Sequence, residues 1–357
     1  LKLKFKDKIQ LCLAFLFSIH FLKLLNKYGI KIVNFSSIIN LAILYYREKK
    51  SELFFSKYIP LNGINLKNSV FYTFWFLPET NGLVLVKKKL FPNLKIITRA
   101  HGGDLYLERG IKPFREVYIK DIDKIYTISQ NGKTYLSAHY PESSNKIEVA
   151  KIGIKNLKNS NLRSLDGVLR VVSCAYIVGL KRIEDIFLSL QQFANKQEIN
   201  LEWTHFGGGD GLMGLQNYID GFENSRYLKV NLEGSVSNEL IKNYYRTNPV
   251  DLFISLSFTE GLPVSMMEAQ SNYIPILATD VGGVSEIVNS KNGYLLKRDY
   301  LVEEVVVGLE SILFSPEIDV IRNNAFKSWS ENHDATIVYN KLFNSLKSSL
   351  NLTENQG

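Results

Sequence analysis

Glu260 and Glu268 bracket the stretch of this chain richest in chemistry, Thr259-Glu260-Gly261-Leu262-Pro263-Val264-Ser265-Met266-Met267-Glu268-Ala269. A buried strand over residues 251–257 is expected to run into this loop. Pro263 then sits where a helix begins, since its missing N–H costs nothing there. The free amides of Val264 and Ser265 point out of the helix N-terminus toward any anion placed there. Carboxylates accept paired hydroxyl hydrogen bonds, so Glu260 in the loop and Glu268 on the helix suit a sugar on one side of an anion and a ribose on the other. From this segment alone, a capping carboxylate plus a surface carboxylate would look the same.

Three other patterns invite weaker readings. Gly209, Gly211 and Gly214 follow a strand expected over 201–206 with the spacing of a dinucleotide fingerprint. They lie deep in the second half of the chain, which favours a glycine loop where backbone approaches some nucleotide. Asp121-Ile122-Asp123 has the D-x-D spacing by which some nucleotide-sugar enzymes hold a metal, yet its place beside a short helix also fits a solvated helix end. His20, His101, His139, His205 and His333 are scattered without ligand spacing, so no metal site is expected.

The elements that must position these groups alternate along the chain. Strands are expected over 30–35, 70–76, 94–98, 124–128 and 147–150, then over 168–174, 201–206, 228–232, 250–255, 274–278 and 293–296. Helical spacing lies between them, as at Ile183, Ile186, Phe187 and Leu190. This rhythm predicts parallel sheets covered on both faces. At 357 residues and 45% hydrophobic, the chain can fill two cores, and 12% aromatic with 22% charged residues excludes disorder. Residues 1–160 hold 27 Lys and Arg against 11 Asp and Glu, whereas 161–357 hold 16 against 24. The polar, aperiodic stretch 155–166 sits where the sign changes and reads as a linker. The expected domains are a basic one over 1–160, a second over 161–330, and a helical tail over 331–357 packing back toward the first.

Cys12 and Cys174 are too few for a disulfide framework, which makes a reducing cytosol the expected compartment. Lys2, Lys4, Lys6 and Lys8 precede an apolar run, but Ser18, His20 and Lys23 interrupt it well short of a membrane span. An amphipathic helix over 9–27 is expected instead.

Taken together, these residues resemble the retaining glycosyltransferases of family four, in their bacterial surface-polysaccharide branch. The likeness rests on Glu-x7-Glu in the context above, on Pro275-Ile276, on Thr279-Asp280-Val281-Gly282-Gly283, and on Glu286-Ile287-Val288 with Asn292-Gly293. Ser173-Cys174-Ala175-Tyr176-Ile177-Val178-Gly179-Leu180-Lys181-Arg182 resembles the segment that supplies diphosphate-binding cations. Lys181 falls on the family lysine, Tyr176 where many members carry arginine, and Arg182 where they carry glycine. His205-Phe206-Gly207-Gly208-Gly209 and Leu232-Glu233-Gly234-Ser235-Val236 resemble loops that approach the nucleotide base. Arg99-Ala100-His101-Gly102-Gly103-Asp104 resembles the His-Gly-x-Asp segment, whose histidine faces the transferred sugar. The likeness covers about 91–350 and is weak before about residue 70, where the family's opening strand and glycine-containing loop are not legible.

The resemblance implies an α/β protein of the GT-B fold, two Rossmann-like doubly wound domains facing across a cleft. It implies transfer of a hexose from a nucleotide-sugar donor with retention and without a metal or other cofactor. His101 and Glu260 would be catalytic, and Lys181, Arg182, Gly234, Val264, Ser265 and Glu268 would bind the donor. The acceptor would be an oligosaccharide or a glycan linked to polyprenyl diphosphate, at the inner face of the cytoplasmic membrane. The basic first domain, with Lys87-Lys88-Lys89 and the aromatic run 71–76, suits an anionic membrane surface, with no nucleic-acid motif beside it. A sugar-nucleotide 2-epimerase and a non-catalytic GT-B subunit are the alternatives.

Overall fold

The computed structural model describes residues 13–18, 21–22, 35–107, 115–155, 161–222 and 226–349. The strand expected over 30–35 lies outside these residues except for Phe35, which opens a helix. Most of the helix expected over 9–27 also lies outside them, as do His20 and part of the linker over 155–166. Residues 13–16 are helical.

The chain forms two compact units, residues 1–150 with 344–357, and residues 151–343. The division thus falls before the polar stretch read as a linker. The first unit contains α1 (Phe35–Leu61), followed by β1 (Val70–Thr73), α2 (Pro78–Lys89) and β2 (Lys95–Ala100). Two single turns, α3 (Gly102–Leu105) and α4 (Arg115–Tyr118), precede β3 (Lys124–Thr127), α5 (Gln130–His139) and β4 (Ile147–Val149). The four strands pair in chain order, all parallel. Leu41 of α1, Leu83 and Val84 of α2, and Ile96 and Ile125 of the sheet are buried in one core.

The second unit contains β5 (Leu169–Cys174), α6 (Ile183–Gln197), β6 (Leu201–Phe206), α7 (Leu212–Asp220), β7 (Leu228–Gly234) and α8 (Asn238–Thr247). It continues through β8 (Leu252–Ser255), α9 (Val264–Gln270), β9 (Ile276–Thr279), β10 (Gly293–Leu296), α10 (Val302–Leu313) and α11 (Ile318–Asn332). Its six parallel strands take the order β10-β9-β8-β5-β6-β7. This is the doubly wound arrangement, in which the connections reverse direction between β5 and β8. The last helix, α12 (Ala335–Ser349), starts in the second unit, and its end belongs to the first. Within the first unit, Ser345 is hydrogen-bonded to Lys124, Tyr126 and Glu148, and Lys95 donates to the Ser349 carbonyl. No helix among the described residues is long and apolar enough to cross a membrane.

Two histidines are structural groups of the second unit. His205, fully buried on β6, shares a hydrogen bond with Ser173 Oγ at 2.8 Å, and Trp203 donates to the same oxygen. His333 is buried behind Ile152. Burial lowers the pKa of each from 6.5 to about 4. Unfolded chains therefore bind these protons more readily. The stability contributed by the neutral rings is present above about pH 6.5 and is lost as pH falls through about 4, at on the order of 3 kcal/mol each. Denaturant midpoints of the second unit are expected to drop steadily between pH 6.5 and 4. In His205→Asn, which carries no titrating ring there, the drop should be clearly shallower.

Candidate functional site

In the second unit the loops leaving β5 and β8 diverge at the reversal point, and that opening at the strand C-termini is where such sheets bind ligands. Backbone hydrogen bonds tie the surrounding loops into one rim. Ala175 donates to Phe206, Ile177 to Gly208, Gly207 to Gly234, Phe258 to Leu180, and Gly283 to Gly261. Two glycines make the close approach possible. A Cβ on Gly207 would meet the Ala175 carbonyl oxygen at 1.7 Å, and one on Gly282 would meet the Glu260 carbonyl oxygen at 2.0 Å. Both residues also hold positive φ, at 146° and 60°.

Inside this rim, Lys181 Nζ lies 2.5 Å from Glu260 Oε1. The two side chains come from opposite sides of the reversal point, one after β5 and one after β8, and both are largely shielded from solvent. Helix α9 begins beside them. Its cap is Pro263, extended at φ −73° and ψ 115°, and the first helical residue is Val264. The proline stands one position before the helix rather than opening it, because its ring fixes φ but leaves ψ free to be extended. Helix geometry leaves the Val264 and Ser265 amides without an intrahelical acceptor.

One turn further along α9 lies Glu268, which reaches the start of α8. Burial raises its pKa, against the hydrogen bond from Asn238 Nδ2 at 2.8 Å and the charge of Lys242. The Cys174 thiol beside it is pushed up to about 11, by burial first and then by the Glu268 charge. Asn238, at the start of α8 behind the Ser237 cap, was not singled out in the sequence. Nothing in its local pattern distinguishes it from an ordinary helix-start asparagine. Gly234 ends β7 with φ 65°, and a Cβ there would meet only Leu212 Cδ2, at 3.9 Å.

Arg182 caps α6 in the left-handed conformation, φ 49° and ψ 48°. That is the conformation glycine adopts freely, and it explains why a glycine would suit this position. The guanidinium lies 4.7 Å from the Tyr300 ring and 5.4 Å from the Phe258 ring, and points at the Ser257 carbonyl at 3.4 Å. Tyr300 is in turn anchored to Asp185 at 2.7 Å. Arg182 therefore braces the loop that carries Glu260, besides bringing a charge to it. Tyr176 is 72% exposed and leaves its position open.

In the first unit, His101 follows β2 and is 5% exposed. Trp75 and Phe74, themselves half exposed, cover its ring at centroid distances of 4.1 and 4.7 Å. Burial, with a smaller push from Arg99, lowers its pKa to about 4, so the ring is neutral near pH 7. Both ring nitrogens are buried without a hydrogen-bond partner. The buried Asp104 carboxylate accepts from the amides of Phe76 and His101, pinning the loop after β1 onto the loop after β2. Arg115 holds the Asp104 and Leu105 carbonyls from behind.

The lysine triplet is not a free patch. Lys87 pairs with Asp123 at 2.6 Å, Lys88 with Asp121 at 2.7 Å, and Lys89 with Glu52 at 2.5 Å. Charge pairing of α2 with the segment before β3 and with α1 thus takes up both the D-x-D carboxylates and the triplet. Among the described residues no three His, Cys, Asp or Glu side chains cluster as a metal site. The G-x-G-x-x-G glycines fall on the β6 loop and the start of α7, where a Cβ on Gly211 would meet the Ile177 carbonyl at 2.7 Å.

Residues 161–329 match the family described as Glycosyl transferases group 1. The group 1 segment contains Lys181, Arg182, Gly234, Glu260, Val264, Ser265 and Glu268. The O-antigen biosynthesis glycosyltransferase WbnH of Escherichia coli is 37% identical over 92 residues, which are 26% of this chain and 24% of the relative. The chain thus spans about a quarter of the length of that curated relative. Among solved structures, the apo form of the lipopolysaccharide outer core galactosyltransferase WaaB is similar with a TM-score of 0.67 at 18% identity, over 85% of this chain and 81% of that one. Anabaena Alr3699/HepE in complex with UDP-glucose is similar with a TM-score of 0.60 at 16% identity, over 76% of each chain. The fold is GT-B, with two parallel-sheet α/β units.

The bracing role of Arg182 has a measurable signature. Arg182→Gly removes left-handed strain together with the stack on Phe258 and Tyr300, and is expected to leave stability within about 1 kcal/mol of the parent. Arg182→Ala loses the stack but keeps the strain, and should be the less stable of the two by about 1 kcal/mol in urea titrations.

Proposed function

We propose that this chain is a glycosyltransferase that moves a hexose from a nucleoside diphosphate donor to a hydroxyl of a lipid-diphosphate-linked glycan in surface polysaccharide assembly. The transfer retains configuration at the anomeric carbon and needs no metal. The observation that carries this reading is the meeting of Lys181 with Glu260 at the reversal point, beside the open amides of α9 and the half-buried Glu268. The Anabaena protein's UDP-glucose supports a nucleotide-sugar donor, and the O-antigen and lipopolysaccharide relatives support a surface glycan as product.

In this reading the bond from the anomeric carbon to the diphosphate breaks, and the diphosphate leaves with the electron pair. The Lys181 ammonium and the Val264 and Ser265 amides offset the charge that develops there, in a rim too shielded for water to do so. As Lys181 turns to phosphate, it releases Glu260 to accept hydroxyls of the reacting sugar. Glu268, held by Asn238, accepts from the ribose, and the open backbone at Gly234 leaves room for the base. The acceptor hydroxyl attacks the face the diphosphate leaves, and its proton passes to a leaving phosphate oxygen. In the first unit, His101 offers a neutral hydrogen bond to a sugar hydroxyl, since its ring carries no charge near pH 7. That unit would receive the acceptor at the inner face of the cytoplasmic membrane.

Glu268→Ala is expected to weaken UDP binding by roughly 1.5–3 kcal/mol, the cost of losing a hydrogen bond to a charged acceptor. Glu260→Ala should leave UDP affinity nearly intact and lower kcat, because its contacts belong to the sugar. Calorimetric titration of both variants, alongside turnover with a panel of UDP-sugars, checks the division. Unchanged UDP affinity in Glu268→Ala would remove the ribose role.

Turnover should also persist in excess EDTA. Activity that EDTA abolishes and Mg²⁺ or Mn²⁺ restores would refute diphosphate stabilisation by Lys181 and backbone amides alone.

A further inference from the structure

Helix α1 carries a surface that the proposed reaction leaves unused. Arg47, Lys50, Leu53, Phe54, Lys57, Tyr58 and Leu61 fall within an arc of about 140° at 3.6 residues per turn. Leu53 is 58% exposed, Phe54 54% and Leu61 82%. No carboxylate shares this arc, since Glu48 is buried and Glu52 is paired with Lys49 and Lys89 on other sides of the helix. Four apolar side chains standing in water, interleaved with cations, are costly unless something covers them.

At the edge of this face, a pocket of about 400 Å³ opens between α1 and the end of β1. Arg47, Lys50, Phe54, Phe55, Thr73 and Glu79 line it. Its apolar wall continues inward through Phe55, which packs edge-on against Phe71 at 5.8 Å, and outward through Phe54, stacked on Tyr58 at 5.2 Å. Arg47 neutralises Glu79 through two hydrogen bonds, at 2.7 and 3.0 Å, leaving the Lys50 ammonium as the uncompensated charge of the lining. Thr73 is followed directly by Phe74 and Trp75, whose rings cover His101. The pocket therefore opens at the same end of the first sheet as the buried histidine.

A pocket with Phe54, Phe55 and an uncompensated lysine in its lining, and an apolar-basic helix face beside it, matches a long hydrocarbon chain ending in phosphate. We propose that the pocket between α1 and β1 receives the apolar chain of a phosphorylated lipid, with Lys50 and Lys57 meeting its phosphate and the exposed face of α1 resting on the bilayer that supplies it. This rests on the reading that the acceptor is carried on a lipid, and it assigns where that lipid is held. Lysines near an anionic surface reinforce such contacts, and aromatic side chains suit the interface between apolar and polar phases.

Farnesyl phosphate is the probe, titrated calorimetrically into the full chain, with inorganic phosphate and UDP as comparisons. Binding at least 100-fold tighter than that of inorganic phosphate is expected. Phe54→Ser and Lys50→Glu, both at exposed positions, should each weaken it at least tenfold and leave UDP affinity unchanged. Farnesyl phosphate that binds no better than inorganic phosphate, or equally well in either variant, overturns the pocket while UDP binding leaves the donor site standing. The reverse result, farnesyl phosphate bound as expected but no affinity for UDP, supports the pocket and removes the transferase reading instead.

Discussion

Because β5 is hydrogen-bonded to β6 on one side and to β8 on the other, the chain must leave these central strands in opposite directions, and the backbone is pulled apart at their C-terminal ends. Most of the second unit's site follows from that separation. The β5 loop brings Lys181 and the β8 loop brings Glu260, so the pair can meet only because the strand order places their strands side by side. Neighbouring loops are then drawn in by backbone hydrogen bonds, which is possible only where Gly207 and Gly282 present no Cβ. A lysine and a glutamate held together in a partly shielded rim are poised to exchange partners when an anion arrives. Each has lost most of its water already, and a diphosphate would restore a full charge partner to the ammonium.

The strands were legible because parallel strands buried on both faces read as short apolar runs. The expected ranges 201–206 and 293–296 coincide with β6 and β10, and the remaining described strands lie within a few residues of theirs. The loop and helix that carry Glu260 and Glu268 were legible because loop, proline and helix start are local features, and Glu260 to Ala269 carries all three. What the sequence hid depends on tertiary approach. Nothing local reveals that Asn238 reaches Glu268, that Phe258 and Tyr300 flank Arg182, or that Asp121 and Asp123 meet Lys88 and Lys87. Arg182 shows why. Its departure from glycine is visible in the sequence, but only the left-handed φ and the two rings show what the arginine offsets and what it holds.

Charge counting tells a similar story at larger scale. The basic excess of residues 1–160 is a property of the chain, whereas the field outside the protein depends on which cations lack a local partner. Lys87, Lys88 and Lys89 look like the most concentrated positive patch in the sequence, yet carboxylates from Glu52, Asp121 and Asp123 answer each of them. The cations of the α1 face are spread over several turns and draw no attention as a run. Helical periodicity gathers them on one side with exposed aromatic and aliphatic groups, and there only Glu79 intervenes, itself taken up by Arg47.

Burial also sets the state of His101 in the first unit. A histidine in water would be partly charged near neutral pH, but here burial under Phe74 and Trp75 holds it neutral and leaves both ring nitrogens unmatched. Unmatched buried nitrogens cost free energy, and a ligand that supplied the missing partner would recover it. A hydroxyl-rich ligand can do so without bringing a charge into a low-dielectric place, where a hydrogen bond is stronger than in water. Asp104 makes the arrangement stiff by binding the amides of both His101 and Phe76, so the ring cannot relieve its deficit by swinging out alone. Phe74 and Trp75 stand between the histidine ring and solvent. That segment directly follows Thr73, which lines the α1 pocket, so the pocket wall and the cover of His101 share the same few residues of backbone.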